Sequence, residues 1–202
     1  MSIAEKLTTV AENVPKVYEA GKKAEYDDFW DAYQRNGTRT NYHTAFRTGW
    51  TDAIYNPKYP IVCSSNNSAT SMFTYTSITD TKVPITISGN NTGVFYGASS
   101  LVTVYSLDVS GVTANIGDWF MQCPKLANIK FVGVIPMGMD ISACPLTAQS
   151  LVSIVEHLSS TTSGKTLIVK ASAVNNADWS TTDYESWDAL IATKPNWTFS
   201  KA

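Results

Sequence analysis

The chain is short of the residues on which catalysis, metal binding and cross-linking usually depend. It holds 2 histidines and 3 cysteines in 202 residues. Cys63, Cys123 and Cys144 cannot all pair and form no C-x-x-C, which argues against a disulfide framework and a zinc site. Charge is also scarce, at 16% of residues with a net charge of −2, so the basic excess that neutralises nucleic-acid phosphates or anionic lipid is missing. No stretch of about 18 consecutive apolar residues occurs, and "MSIAEKLTTVAENV" lacks the charged and apolar regions of a signal peptide. The expectation is therefore a protein with no nucleic-acid or membrane partner and no cofactor.

What is present is enough apolar and aromatic material to build a core: 44% hydrophobic and 11% aromatic residues. Its distribution is uneven. Residues 1 to 60 hold 16 charged side chains, whereas residues 61 to 160 hold 8. In the second region Ser, Thr and Asn supply the polarity, which suits surfaces that make neutral hydrogen bonds.

Residues 1–35 read as a helical attachment or oligomerisation segment in two pieces, with Pro15 at the start of the second. Ile3, Leu7, Val10, Val14 and Val17 begin a 4-3 alternation that marks a seam for a partner helix, in this chain's own body or in a second copy. Residues 36–70 follow as a connector and N-terminal cap, in which Tyr42, Phe46, Trp50, Tyr55 and Tyr59 are too numerous for a flexible linker.

From Phe73 the pattern becomes repetitive. F-x2-[small]-x2-L-x2-[VI] fits Phe95, Ala98, Leu101 and Val104, and fits again Phe120, Cys123, Leu126 and Ile129. A degenerate unit starts at Phe73, with Thr76 at the small position and Ile78 one residue out of step; another starts at Ile141, with Cys144 at the small position. Origins 22, 25 and 21 residues apart have the period of a leucine-rich-repeat solenoid, whose coils bury their apolar face only against the next coil. The fold expected is α+β: the helical segment, then a small leucine-rich-repeat-like β-solenoid over residues 71–146, with strands beginning at the Leu-x-x-Val/Ile segments. Residues 147–202 form a C-terminal helix and strand cap. It opens with a helix at Leu151, Ile154, Val155 and Leu158 behind Thr147 as N-cap, continues with a strand in "GKTLIVK" and a helix in "TTDYESWDALIATK", and ends extended in "NWTFS".

The segment "FMQCPKLANIKF", with Phe120, Cys123, Leu126, Ile129 and Phe131, resembles the repeat of BspA-like leucine-rich-repeat proteins, and the resemblance covers roughly residues 70 to 150. Thr79 and Lys82 depart from it. The opening "MSIAEKLTTVAENVPKVYEAGKKAEYDDFWDAYQRNG", followed by "GWTDAIYNPKYPI", resembles the N-terminal segment of tail-associated proteins of phages and prophages of gut bacteria. That second resemblance implies a virion protein, present in the host cytoplasm before assembly, that contacts a cell surface or other virion proteins.

Little else points to chemistry. His157 beside Glu156 reads as an ordinary helix-end histidine, and "STTSGKT" has Ser159 where a phosphate-binding loop needs glycine. Cys123 and Cys144 occupy equivalent repeat positions, which makes a disulfide geometrically accessible, although buried thiols serving as small apolar residues fit better. Tyr75, Tyr96, Tyr105 and Trp119 are the residues expected to face outward and stack on sugar rings. The function expected is non-enzymatic recognition of a bacterial surface glycan or protein. The alternatives are a purely structural tail or baseplate component, and a glycan hydrolase using a pair drawn from Asp108, Asp118 and Asp140.

Overall fold

The computed structural model describes residues 60–63, 69–114 and 116–202. The seam of Ile3, Leu7, Val10, Val14 and Val17 and the aromatic connector up to Tyr59 lie outside the described residues. Within them the chain winds as a small β-solenoid of about four turns. One sheet is all parallel, in the order β1 (Ile61–Cys63), β2 (Pro84–Asn90), β3 (Thr103–Ala114) and β4 (Asn128–Val132). Strands start where the repeat pattern places them: Val104 and Ile129 are each the second residue of a strand and are paired in register.

The repeated residues make the core. Phe73, Phe95, Ala98, Leu101, Val104, Phe120, Cys123, Leu126 and Ile129 are all buried. The phenylalanines form a column, with Phe95 stacked on Phe73 at 5.0 Å and on Phe120 at 5.4 Å. The degenerate first coil keeps the same interior by dropping one residue: Ile78 is buried in place of a leucine, and the bridge between Asp80 and Thr103 puts the buried Thr81 beside Val104. Thr81 is polar inside the core because its hydroxyl has a function there, accepting the backbone N–H of Tyr105 at 3.0 Å.

Opposite the sheet, the coils stack through turns. Ser71, Phe73 and Tyr75 donate backbone N–H bonds to Thr92, Val94 and Tyr96 of the next coil, and Phe95 and Gly97 donate to Trp119 and Met121 of the one after. Beyond the third coil the two faces exchange roles. The turn face continues as a second parallel sheet, β5 (Met139–Ile141), β6 (Lys165–Val169) and β7 (Trp197–Lys201), joined to the turn stack by Asp140 N–H to Gly117 C=O. On the other face the helix α1 (Ala148–His157) takes the place of a fifth strand.

Helix α1 closes the sheet edge with side chains. Thr147 caps it, accepting the N–H of Ser150, and Leu151, Ile154 and Val155 are buried. An unpaired strand edge leaves backbone N–H and C=O groups without partners. Here the Ser150 hydroxyl accepts the N–H of Ile129 at 3.0 Å and donates to the C=O of Ala127 at 3.0 Å, while the Ser153 hydroxyl accepts the N–H of Phe131 at 2.8 Å. Two short helices, α2 (Ala171–Asn175) and α3 (Trp187–Ile191), and a single 3-10 turn at Trp179–Thr181 lie between β6 and β7. The helix expected across "TTDYESWDALIATK" is thus confined to its middle. The Thr182 hydroxyl bonds the backbone of Tyr184, holding a turn there, and Ser186 caps α3. Among the described residues no helix is long and apolar enough to cross a membrane.

Candidate functional site

The four aromatic residues expected on one outer surface separate into three environments. Trp119 is the correction: it is fully buried, and its indole N–H donates to the C=O of Asn91 at 2.8 Å. It sits in a tight turn, where neighbouring side chains do not alternate as they do along a strand, so Trp119 and Phe120 both point inward. Tyr105 is 57% exposed, on the outer face of the first sheet. Only Tyr75 and Tyr96 come together.

Their meeting place is the corner that ends each turn. Tyr75, Gly97 and Gln122 occupy this corner in successive coils, at φ 55°, 67° and 60°. Left-handed backbone costs a residue with a Cβ about 1–2 kcal/mol that glycine avoids. Gly97 shows that the corner needs only the backbone conformation. The Tyr75 ring lies directly over Gly97, in the space a Cβ would take. It meets the Tyr96 ring edge-on, centroids 5.6 Å apart and planes at 90°, and the Gln122 amide donates to the Tyr96 hydroxyl at 2.9 Å. Hydrogen bonding and charge from the Tyr75 hydroxyl hold the Tyr96 phenol above its ordinary pKa, with smaller contributions from burial and Asp118. Tyr75 is 55% exposed, Tyr96 half-buried, and Met121 and Gln122 are exposed beside them. The corner therefore presents a rigid aromatic face with neutral hydrogen-bonding groups.

The three aspartates proposed as catalytic partners each accept a backbone N–H, two within a local turn and one across coils. Asp108 accepts the N–H of Ser110 at 2.9 Å, Asp118 that of Gly93 at 3.1 Å, and Asp140 both the N–H and the hydroxyl of Ser142, at 2.9 and 2.6 Å. None of them lines the groove between α1 and α2 or the one between α1 and the first sheet. Among the described residues no three His, Cys, Asp or Glu side chains gather as metal ligands would.

Cys123 and Cys144 are buried thiols, each three residues after its repeat origin, and each donates to the carbonyl of the preceding coil's phenylalanine: Cys123 to Phe95 at 3.1 Å and Cys144 to Phe120 at 3.5 Å. Burial pushes the Cys123 thiol up to about 11 and that of Cys144 higher still. They pack as small apolar side chains in the core. His157 closes α1, its Nδ1 2.6 Å from the C=O of Ser153, so that nitrogen carries the proton. Sequence reasoning missed Gln122 and Gly97, whose only signal is their place in the corner two residues after each Phe95 or Phe120 origin. No protein-family model, no curated protein and no solved structure matches the chain significantly.

Proposed function

We propose that this protein is a non-enzymatic recognition module of a phage tail or a similar particle that contacts bacterial cells, and that it binds a bacterial surface glycan or protein through its solenoid. In this reading the solenoid is leucine-rich-repeat-like, of the BspA-like kind, and the segment carrying Ile3, Leu7, Val10, Val14 and Val17 attaches or oligomerises it. The observation that carries the reading is the corner at Gly97. Two residues with side chains, Tyr75 and Gln122, hold a backbone conformation there that glycine holds at less cost, and both are spent on an exposed aromatic pair. Aromatic rings with neutral donors and acceptors suit the apolar faces and hydroxyls of sugars. Binding of this kind has little electrostatic steering and persists in raised salt.

A glycan array and a cell pull-down, each run at low and raised salt, test this reading. Retention at both salt levels supports it; blank results in both assays remove the recognition claim.

A second reading, a purely structural tail or baseplate component, is favoured by the apolar side chains on the outer face of the first sheet. Val62, Thr86, Asp108 and Val132 form one rung across the four strands, with Val62 and Val132 exposed and Val134 just beyond. Its partner would be another virion protein. Solution mass of the chain with and without residues 1–35 separates attachment through the N-terminal segment from self-association of the solenoid. The hydrolase reading finds less support, because its three aspartates each accept a backbone N–H, Asp108 and Asp140 in local turns and Asp118 from Gly93 of the preceding coil.

A further inference from the structure

Ending a parallel sheet with a helix leaves a step. Strands lie about 4.8 Å apart, whereas a helix with its side chains is about 10–12 Å across, so α1 stands proud of the sheet plane. Ser150 and Ser153 bridge to β4 from below. On the outer side a groove of about 430 Å³ remains, walled by Tyr105, Asn128 and Lys130 from the sheet and by Gln149, Glu156 and His157 from α1. That volume falls within the range of small-molecule sites, about 300–1,000 Å³.

Tyr105 is aimed by a bulge. Val104 pairs with Ile129 and Leu107 with Phe131, so Tyr105 and Ser106 stand opposite the single residue Lys130. Bulges redirect side chains in this way, and the buried Thr81 hydroxyl secures the Tyr105 N–H. The far wall is steadied too: the Tyr184 hydroxyl donates to Glu156 at 3.2 Å. With Nδ1–H of His157 bonded to Ser153, its Nε2 is the ring's remaining acceptor when the imidazole is neutral.

We propose that this groove is a saccharide subsite for a neutral pyranose, separate from the Tyr75–Tyr96 corner. The ring's C–H face stacks on Tyr105. Its hydroxyls are met by the amides of Asn128 and Gln149, which both donate and accept, by Lys130 as donor and by Glu156 as acceptor. One cation against one anion favours neither acidic nor basic sugars. The proposal rests on the reading of this protein as a glycan-recognition module, and it names where and how a single sugar unit is held.

The test is an amide-resolved NMR titration of the full chain with methyl glycosides of glucose, galactose and N-acetylglucosamine. At least one glycoside is expected to shift the amides of Tyr105, Lys130 and Gln149. Tyr105→Ala should weaken that binding about tenfold with the rest of the spectrum unchanged, Tyr105→Phe should retain it, and Tyr75→Ala should leave it intact. Gln149→Ala, on an exposed side chain, serves as an independent second variant and should also weaken it. If these glycosides shift no groove amides while polysaccharide binding persists and depends on Tyr75, the groove proposal is overturned and the recognition reading stands. If neither the glycosides nor any array glycan binds, both are overturned.

Discussion

The ring of Phe95 lies parallel to that of Phe73, with centroids 5.0 Å apart and planes 4° from coplanar, and it receives Phe120 on its other side at 5.4 Å. A ring enclosed on both faces loses most when removed. Phe95→Ala should therefore cost about 3–5 kcal/mol, and Phe95→Leu less, in urea unfolding monitored by circular dichroism. A cost below about 1 kcal/mol for Phe95→Ala would mean that this column is not the core.

The serine contacts at the sheet edge predict a local effect. Ser150→Ala leaves the Ile129 N–H without its partner and the Ala127 C=O with the Thr147 N–H as its remaining donor, and Ser153→Ala removes the partner of the Phe131 N–H. Each substitution should cost about 1–3 kcal/mol. Hydrogen exchange should quicken at Ile129 in the first variant and at Phe131 in the second, while Leu107, inside the sheet, keeps its protection relative to global stability.

The buried thiols give the stability a dependence on alkaline pH. Burial raises Cys123 from about 9.0 to about 11 in the folded chain. Between those values the unfolded chain releases the thiol proton and the folded chain retains it, so stability falls as pH rises through the window and is unaffected by this group below it. The loss attributable to Cys123 reaches about 2–3 kcal/mol at most. Unfolding free energies at pH 8 and pH 10.5 should therefore differ more for the wild type than for Cys123→Ala; equal differences would contradict the burial.

Gly97 offers a test of the corner that spares its aromatic rings. A methyl group there would occupy the place of the Tyr75 ring, at a φ of 67° that already disfavours any side chain. Gly97→Ala should cost about 1–2 kcal/mol and displace Tyr75 from Tyr96, lowering glycan binding without changing either tyrosine. Unchanged ring-proton shifts for Tyr75 and Tyr96 in this variant would show that the contact is not as described.

Much of the fold was legible because the core is periodic. Phe95 with Phe120, Leu101 with Leu126 and Val104 with Ile129 recur at matching spacings; all six are buried, the two phenylalanines stack and Val104 pairs with Ile129 in register. Helix α1 was legible from Leu151, Ile154 and Val155 behind Thr147. The second sheet was not foreseen as a sheet: one hydrophobic repeat per coil signals one strand per coil, and nothing in that period announces that turns at Ser71–Tyr75 and Gly93–Gly97 give way to strands at Met139–Ile141 and Lys165–Val169. The candidate surface was legible only in part. Alternation along a strand places Tyr105 outward, but it fails in the turn holding Trp119, and the spatial partnership of Tyr75, Gly97 and Gln122 depends on coil stacking that no local pattern encodes.

The claim that matters most is recognition through the exposed Tyr75–Tyr96 corner, and the measurement that tests it most directly is retention of bacterial cells or their purified surface polysaccharide by the full chain, wild type against Tyr75→Ala, at low and raised salt. The account predicts retention by the wild type at both salt levels and its loss in Tyr75→Ala with folding unchanged. Equal retention by both proteins, or none by either, would contradict it.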